Sequence, residues 1–286
     1  MLQKLIRFAR KSPREQLATI ENGLIEMGWR VPHLGNDRTV YIVGLFGAGR
    51  HYLNELILQH IGRRAKYFRE AVFEFRFHAG PTSMIYSGHS TMRHECWGHR
   101  SPAVTSRILE AVTSRFADSI FLYRHPLDSL LTNWIWLRTF GRENRMISGI
   151  SELYKNTDDL CAVLEHNFSE FKAFAEGAPE FSAALPGRRF ISFPEFVEET
   201  ELFLRSATLA LRLEDFMIDP LEEFSKVVEV MSAQDDLRHV RIPLPRAKPY
   251  GYLTVVEKSP RFRNFVNGVD MVTKTRIEKI GYSLGG

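Results

Sequence analysis

Residues 41–57, YIVGLFGAGRHYLNELI, decide the fold of this 286-residue chain. An apolar run passes through a glycine-rich turn into an amphipathic segment, a pattern that predicts a strand, a loop and a helix. Because Gly44, Gly47 and Gly49 lack a Cβ, the backbone can adopt positive φ angles and present its N–H groups to an oxyanion. The following helix directs its positive end at the same place, so the stretch predicts a phosphate-binding loop.

The spacing of these glycines differs from two common nucleotide motifs. Gly-x-x-x-x-Gly-Lys-[Ser/Thr] needs a lysine and a hydroxyl where this chain has Arg50 and His51, which disfavours magnesium-dependent kinase chemistry. The sequence also lacks Gly-x-Gly-x-x-Gly and the acidic residue that a dinucleotide ribose requires. A tight strand-to-helix connection without any ligand remains an alternative.

The composition is that of an ordinary globular protein, with 44% hydrophobic and 25% charged residues. A net charge of +4 and a pI of about 9.1 suit an anionic small ligand or an acidic glycan. Basic runs with interleaved aromatic residues, which would favour nucleic acid, are missing. Cys96 and Cys161 are far apart and form no Cys-x-x-Cys pair, which argues against a disulfide scaffold and a cysteine-based zinc site.

The sequence predicts a cytoplasmic protein. The first twenty residues have no continuous apolar core of a signal peptide, and no segment approaches the ~20 apolar residues of a membrane span. Apolar residues beside Lys4, Arg7 and Arg10 leave two alternatives for this terminus. It is either an amphipathic helix docked on the protein or a peripheral contact with a membrane surface.

Strands and helices alternate along the chain at intervals too long for β-hairpins. Strands are predicted at Thr39 to Leu45, Val72 to Phe77, Met84 to Tyr86, Ser119 to Tyr123 and Ala207 to Arg212. Helices are predicted at Arg50 to Ile61, 102–116, from Pro126, at Ser151 to Glu176 as one or two helices, from Pro220, and at Val272 to Ile280. Asp219, Pro220 and Glu222 predict a capping box.

This alternation predicts one α/β domain over residues 1–286, with a parallel sheet between two layers of helices. Residues 1–38 form an N-terminal helical extension in this interpretation, and residues 241–286 form a basic loop and a C-terminal helix. Ligands of such sheets bind at the carboxyl ends of the strands. The glycine loop, His89 and Arg124 are each expected at such an end.

Arg124 comes directly after the strand Ser119 to Tyr123, and Pro126 begins the helix that follows. Thr132 lies about two turns into that helix. An arginine and a hydroxyl in these places can converge on one tetrahedral anion, because the guanidinium gives paired hydrogen bonds and the hydroxyl a third.

Four segments in this order resemble the sulfotransferases that use 3′-phosphoadenosine 5′-phosphosulfate (PAPS), in particular bacterial members of the carbohydrate-acting type. They are the glycine loop of Val43 to Leu53, the stretch Met84 to His89, the Tyr-Arg-x-Pro-x-Asp-x-x-x-[Ser/Thr] block of Tyr123 to Thr132, and the Leu-Arg-x-Glu-Asp-x-x-x-Asp-Pro block of Leu211 to Pro220. The last two are the most specific. The resemblance implies a P-loop-like sulfotransferase fold.

The resemblance also implies a role for each matching residue. The loop backbone would hold the 5′-phosphosulfate, and Arg124 and Thr132 the 3′-phosphate, while Asp128 matches a structural position. The implied cofactor-binding residues are Gly47, Ala48, Gly49, Arg50, His51, Tyr52, Arg124 and Thr132. His89 matches the general base of cytosolic members. Arg261 and Arg263 lie where the family often adds a late basic contact.

The chain departs from the family in the loop, where lysine or arginine usually stands before two hydroxyl residues. Phe46, Gly47 and Ala48 occupy the first places, and Arg50 and His51 replace the hydroxyls. Arg50 is therefore expected to offset the charge that develops on the sulfonate and bridging oxygens. A carboxylate is an alternative general base, with three candidates: Glu70, Glu74 and Glu95.

The sequence thus predicts a sulfotransferase that transfers a sulfuryl group from PAPS to a hydroxyl of a carbohydrate or glycolipid, with adenosine 3′,5′-bisphosphate as product. No metal is expected, because the spacing of His94, Cys96 and His99 matches no zinc template closely. Nucleic acid is not expected as a partner. Two alternatives stay open: a catalytically silent protein that binds adenosine bisphosphate, and a P-loop-like kinase.

Overall fold

A computed structural model describes about half to two thirds of the chain in separate segments. The described residues are Ala9, Gln16, Ile20, 39–45, 49–60, 65–68, 83–90, 93–94, 118–143, 157–177, 189–190, 192–231, 242–244 and 251–284. Ala9, Gln16 and Ile20, within the predicted N-terminal extension, are helical. None of the helices in these segments is long and apolar enough to cross a membrane.

The chain forms two compact units. The sheet unit comprises Met1–Ser90, Ala103–Tyr123 and Phe203–Pro245, and the helical unit comprises Thr91–Pro102, Arg124–Leu202 and Arg246–Gly286. The chain passes from the first to the second directly after Tyr123. That both units act as one sulfotransferase domain stays a prediction.

The described residues of the sheet unit contain five strands: β1 (Thr39–Leu45), β2 (Ala65–Phe68), β3 (Ser83–Ser90), β5 (Asp118–Tyr123) and β7 (Leu209–Arg212). They pair parallel in the order β2-β3-β1-β5-β7. The predicted parallel α/β architecture is confirmed. The placement of helices on both faces stays a prediction.

Three described helices belong to the sheet unit: α1 (Arg50–His60), α6 (Leu213–Ile218) and α7 (Pro220–Val230). Leu53, Leu56 and Ile57 of α1 are almost completely buried, as helical spacing predicts. Asp219 caps α7, since its Oδ1 accepts from the Glu222 N–H at 3.0 Å. The reciprocal half of a capping box does not form there, because the Asp219 N–H donates to the Asp215 carbonyl at 2.9 Å.

The helical unit packs its helices around aromatic side chains. Its helices are α2 (Pro126–Glu143), α3 (Thr157–His166), α4 (Phe168–Ala175), α8 (Tyr252–Lys258), α9 (Pro260–Asn267) and α10 (Met271–Lys279), and α5 (Phe193–Ser206) contributes residues to both units. Trp134 of α2 meets the Phe171 ring edge-to-face at 5.6 Å, and Phe171 contacts Phe262 in the same way. Two short strands, β4 (Arg93–His94) and β6 (Arg189–Phe190), pair antiparallel.

The structure adds helices where the sequence predicted a basic loop. Two helices lie there, Tyr252–Lys258 and Pro260–Asn267. The second begins at Pro260 because Ser259 caps it and proline suits the first helical position. The Ser259 hydroxyl accepts from the Phe262 N–H at 3.1 Å. The predicted strand Val72 to Phe77 and the predicted helix 102–116 lie outside the described residues.

Candidate functional site

The glycine loop requires glycine at its last position. Gly49 has φ +85°, and a Cβ built there would lie 2.8 Å from Leu213 Cδ1. Its carbonyl accepts from the Leu53 N–H at 3.0 Å, which makes Gly49 the residue from which α1 starts. Gly47 and Ala48 lie outside the described residues.

The beginning of α1 is electrostatically suited to an anion. Its first turn contains no acidic residue, so the partial positive charge of the helix N-terminus is not neutralised by its own sequence. Arg50 and His51 are the first two residues of this helix. Their side chains are outside the described part of the structure, so the role of Arg50 stays a prediction.

The side chain of Tyr52 makes contacts within the sheet unit, and the role of its backbone N–H in binding the phosphosulfate stays a prediction. The Tyr52 hydroxyl donates to the Pro243 carbonyl at 2.6 Å, and its ring meets Phe216 edge-to-face at 5.6 Å. Burial raises the pKa of Tyr52 to about 12. The contact with Phe216 attaches the first turn of α1 to α6, whose first residue, Leu213, would clash with a Cβ at Gly49.

His89 lies in β3, next to the residues that lead into the glycine loop. In the parallel register of β1 and β3, His89 is opposite Gly44, and Ser90 is opposite Leu45. Neighbouring strands are about 4.8 Å apart, so the His89 backbone is close to the end of β1. The structure therefore places the His89 backbone beside the strand that leads into the glycine loop, as predicted. The His89 side chain is not among the described parts of the chain.

Arg124 is buried and held by an ion pair. Its Nη2 lies 3.1 Å from Asp128 Oδ2, and the two residues are 5% and 8% exposed. The other oxygen of Asp128 accepts from the Tyr252 N–H at 2.7 Å. Asp128 therefore fixes the guanidinium relative to α8, in agreement with the structural position that the resemblance implies.

Thr132 lies on the same face of α2 as the Arg124 ion pair. Asp128 and Thr132 are four residues apart and so are neighbours along one side of the helix. Because the Arg124 guanidinium contacts Asp128, it lies on that side too. Thr132 is fully buried. The helical unit thus places both residues of the predicted 3′-phosphate pocket on one surface of α2.

His125 was not singled out from the sequence, yet it organises the start of α2. Its Nδ1 accepts from the Leu127 N–H at 3.2 Å, which is the bond that an N-cap side chain makes. Its Nε2 lies 3.1 Å from the Ser283 carbonyl, and its ring stacks on Tyr252 with centroids 3.8 Å apart. A polar residue directly before Pro126 is a capping signal that the sequence shows. The contacts of His125 with Tyr252 and Ser283 could not be predicted, because no local pattern indicates them.

Arg261 and Arg263 have structural partners in the helical unit. Arg261 Nη1 donates to the Glu165 carbonyl at 3.1 Å, and its Nε lies 3.4 Å from Glu165 Oε2. Arg263 donates to the carbonyls of Val256 and Glu257. Both guanidinium groups therefore stabilise helix ends, and a further role at a phosphate stays a prediction.

The described residues contain no group of three or more His, Cys, Asp or Glu that could hold a metal ion. Cys96, His99 and the side chain of His94 are not among them. The carboxylate alternatives to His89, at Glu70, Glu74 and Glu95, are also outside the described residues. The expectation of a reaction without metal stays a prediction.

Comparisons with known proteins add little. No family profile matches the chain, and no curated protein matches it. Among solved structures the chain is similar to a crystal structure of mouse sulfotransferase SULT7A1 complexed with PAP, with 10% identity and a TM-score of 0.40 over 90% of this chain and 86% of that one. A likeness at this level identifies neither a family nor an activity.

Proposed function

We propose that this protein transfers a sulfuryl group from PAPS to a hydroxyl of a carbohydrate or glycolipid. The observation that carries the proposal is the buried Arg124, held by Asp128 on the face of α2 that also carries Thr132. A guanidinium fixed in advance binds a phosphate with less loss of conformational entropy than a mobile one. The spacing of these residues matches the family block that the sequence resembles.

The glycine loop supports the same proposal from the sheet unit. Gly49 has the positive φ that an anion-binding turn uses, and α1 starts at once after it. We assign the 5′-phosphosulfate to the backbone N–H groups of residues 47–52.

PAPS would supply an activated sulfuryl group. The acceptor oxygen forms a bond to sulfur, while the bond from sulfur to the bridging phosphate oxygen breaks and its electron pair leaves with adenosine 3′,5′-bisphosphate. His89 is assigned the acceptor proton, which an imidazole can take at neutral pH. Arg50 is assigned the charge that develops on the bridging oxygen.

The absence of lysine at Phe46, Gly47 and Ala48 favours one rival, a protein that binds the bisphosphate without catalysis. Thermal unfolding with adenosine 3′,5′-bisphosphate, compared with ATP and magnesium, tests the site, because a ligand of the native state raises the unfolding temperature. We expect stabilisation by the bisphosphate only. Stabilisation by ATP with magnesium alone would indicate the kinase alternative instead.

Transfer of labelled sulfate from PAPS to a glycan panel separates the enzyme from the silent binder. We expect transfer by the native protein, and its loss in His89→Ala and in Arg50→Ala, with bisphosphate binding kept in His89→Ala. If the native protein binds the bisphosphate but transfers no sulfate to any acceptor, the enzymatic proposal is wrong. If His89→Ala keeps full activity, the base is another residue.

A further inference from the structure

An exposed apolar patch lies in the sheet unit, where α6 ends and α7 begins. Met217, Ile218 and Leu221 are 44%, 82% and 39% exposed, and they fall within five consecutive residues. Single exposed apolar residues are common on protein surfaces, whereas several together indicate an interaction surface. We call these three residues the α6–α7 patch.

Acidic residues flank the α6–α7 patch. Residues 212–229 contain six acidic and two basic residues, so this stretch carries a net charge of −4 in a chain whose net charge is +4. Both basic side chains have acidic partners: Arg212 Nε lies 4.0 Å from Asp215 Oδ2, and Lys226 Nζ lies 3.6 Å from Glu222 Oε1. The patch therefore fits a partner that is both apolar and basic.

Residues 1–14, which we call the basic segment, have this character. They contain five basic residues and no acidic one: Lys4, Arg7, Arg10, Lys11 and Arg14. The spacing i, i+3, i+4 and i+7 of one helix face is occupied by apolar residues: Leu2, Leu5, Ile6 and Ala9. At 100° per residue the five basic residues fall on the other side of such a helix. An amphipathic helix of this kind binds by laying its apolar face on a hydrophobic surface.

Within one copy of the chain neither Ala9 nor the α6–α7 patch is covered. Ala9, which belongs to the apolar face of the basic segment, is helical and exposed. Ile218, in the middle of the patch, is 82% exposed. Two complementary surfaces that are both exposed in a single copy point to a contact between copies.

We propose that the basic segment of one copy binds the α6–α7 patch of a second copy, and that exchange of the two segments forms a symmetric dimer. The apolar face covers Ile218 and its neighbours, and the basic side chains lie beside the exposed carboxylates of Asp219 and Glu222. This inference is independent of the proposed function. It assigns the N-terminus to a protein surface rather than to a membrane, because anionic lipids would be repelled by the same carboxylates.

The test uses the full chain in sedimentation equilibrium, and fluorescence anisotropy with a labelled peptide of residues 1–14. Ile218→Lys places a cation in the patch. Val272→Lys is the matched control, because Val272 is a branched apolar residue that is 66% exposed in the helical unit. Arg7→Glu with Lys11→Glu reverses two charges of the basic segment, and a scrambled peptide of the same composition tests the helical spacing. Urea unfolding is measured for each variant.

The native chain should form dimers, and the peptide should bind it with an affinity that falls as the salt concentration rises. Ile218→Lys should weaken peptide binding about 10- to 100-fold, because the burial of an isoleucine is lost. It should weaken dimerisation by a larger factor, since the dimer contains two equivalent contacts. Its unfolding midpoint should stay unchanged, because the side chain is exposed. The double charge reversal should weaken dimerisation and reduce its salt dependence, and Val272→Lys should change neither.

Dimers that persist equally in Ile218→Lys would overturn the inference, and so would a chain that is monomeric at every concentration. Equal binding of the scrambled peptide would also overturn it, because charge alone would then explain the contact. Vesicles of phosphatidylcholine with phosphatidylserine test the membrane alternative. If they bind the native chain and Ile218→Lys alike while no dimer forms, the N-terminus contacts membranes and the inference is wrong.

Discussion

The two candidate anion-binding regions are built in opposite ways. In the sheet unit, Gly49 has a positive φ and leaves no room for a side chain beside Leu213. In the helical unit, Arg124 is a buried charge that Asp128 holds in place. The first region depends on a residue without a side chain, Gly49, and the second depends on an ion pair between Arg124 and Asp128.

This difference determines how each region should fail. A backbone site is lost when a side chain changes the path of the chain, but it contains no charge that needs a partner. A buried ion pair couples folding to binding, because removal of either partner leaves the other charge uncompensated. In the helical unit, loss of bisphosphate binding should therefore come with a large loss of stability, whereas in the sheet unit the loss of stability should be smaller.

The largest effect is expected for Arg124→Ala. It leaves the Asp128 carboxylate buried and unpaired, so the free energy of unfolding should fall by about 3–5 kcal/mol, and stabilisation by adenosine 3′,5′-bisphosphate should disappear. Urea unfolding and thermal shifts measure both. In the exposed pair of Arg261 with Glu165, Arg261→Ala should cost less than about 1 kcal/mol.

The double variant Arg124→Met with Asp128→Asn separates the two effects of that change. It removes both charges and keeps an acceptor for the Tyr252 N–H, so stability should largely return while bisphosphate binding stays absent. Binding by the double variant at native affinity would show that Arg124 is purely structural.

In the sheet unit, Gly49→Ala should lower the free energy of unfolding by about 2 kcal/mol, with about half from the positive φ and the rest from Leu213. Gly281 is the matched control, because it has φ +87° and no atom near the position of a Cβ. Gly281→Ala should cost only about 1 kcal/mol and leave bisphosphate binding unchanged. Equal effects of the two changes on stability and binding would contradict a special role for Gly49.

A smaller effect tests how the start of α2 is held. His125→Ala removes the cap on the Leu127 N–H and the stack on Tyr252, which should cost about 1–2 kcal/mol in urea unfolding. His125→Asn should recover the capping part of this loss, since asparagine is a good N-cap. His60, the last residue of α1, meets Phe224 edge-to-face at 5.7 Å and is the control for the ring contact. If His60→Ala costs as much as His125→Ala, the capping contribution is negligible.

The smallest effect is expected for Tyr52→Phe, which removes the bond to Pro243 and should cost at most about 1 kcal/mol. The pKa of Tyr52 is raised to about 12 in the folded protein, so the unfolded chain loses this proton first as the pH rises. The stabilisation is complete below the ordinary tyrosine pKa of about 10 and is lost as the pH approaches about 12. Unfolding at about pH 9 and about pH 11 should show a flatter alkaline decline for Tyr52→Phe than for the native protein. Equal slopes would contradict this assignment.

Local patterns predicted much of the fold. The structure confirms the strand Thr39–Leu45, the helix that begins at Arg50, the helix that begins at Pro126 and the Asp219 cap. Each is specified by apolar periodicity, glycine, proline or a capping side chain within a few residues. The short strand Ala65–Phe68 was missed, since it has neither alternation nor turn signals of its own.

The sequence by itself determined that a glycine turn follows β1, that Arg124 directly precedes the start of α2, and that Thr132 lies about two turns into this helix. These are consequences of backbone sterics and helical periodicity, which act between residues close in the chain. Only the tertiary structure decided that Asp128 joins Arg124 to Tyr252, that His125 stacks on Tyr252, and that Ser129 and Asn133 are buried without a hydrogen-bond partner among the described residues. Burial and long-range hydrogen bonds depend on which distant segments meet, and no local pattern records that.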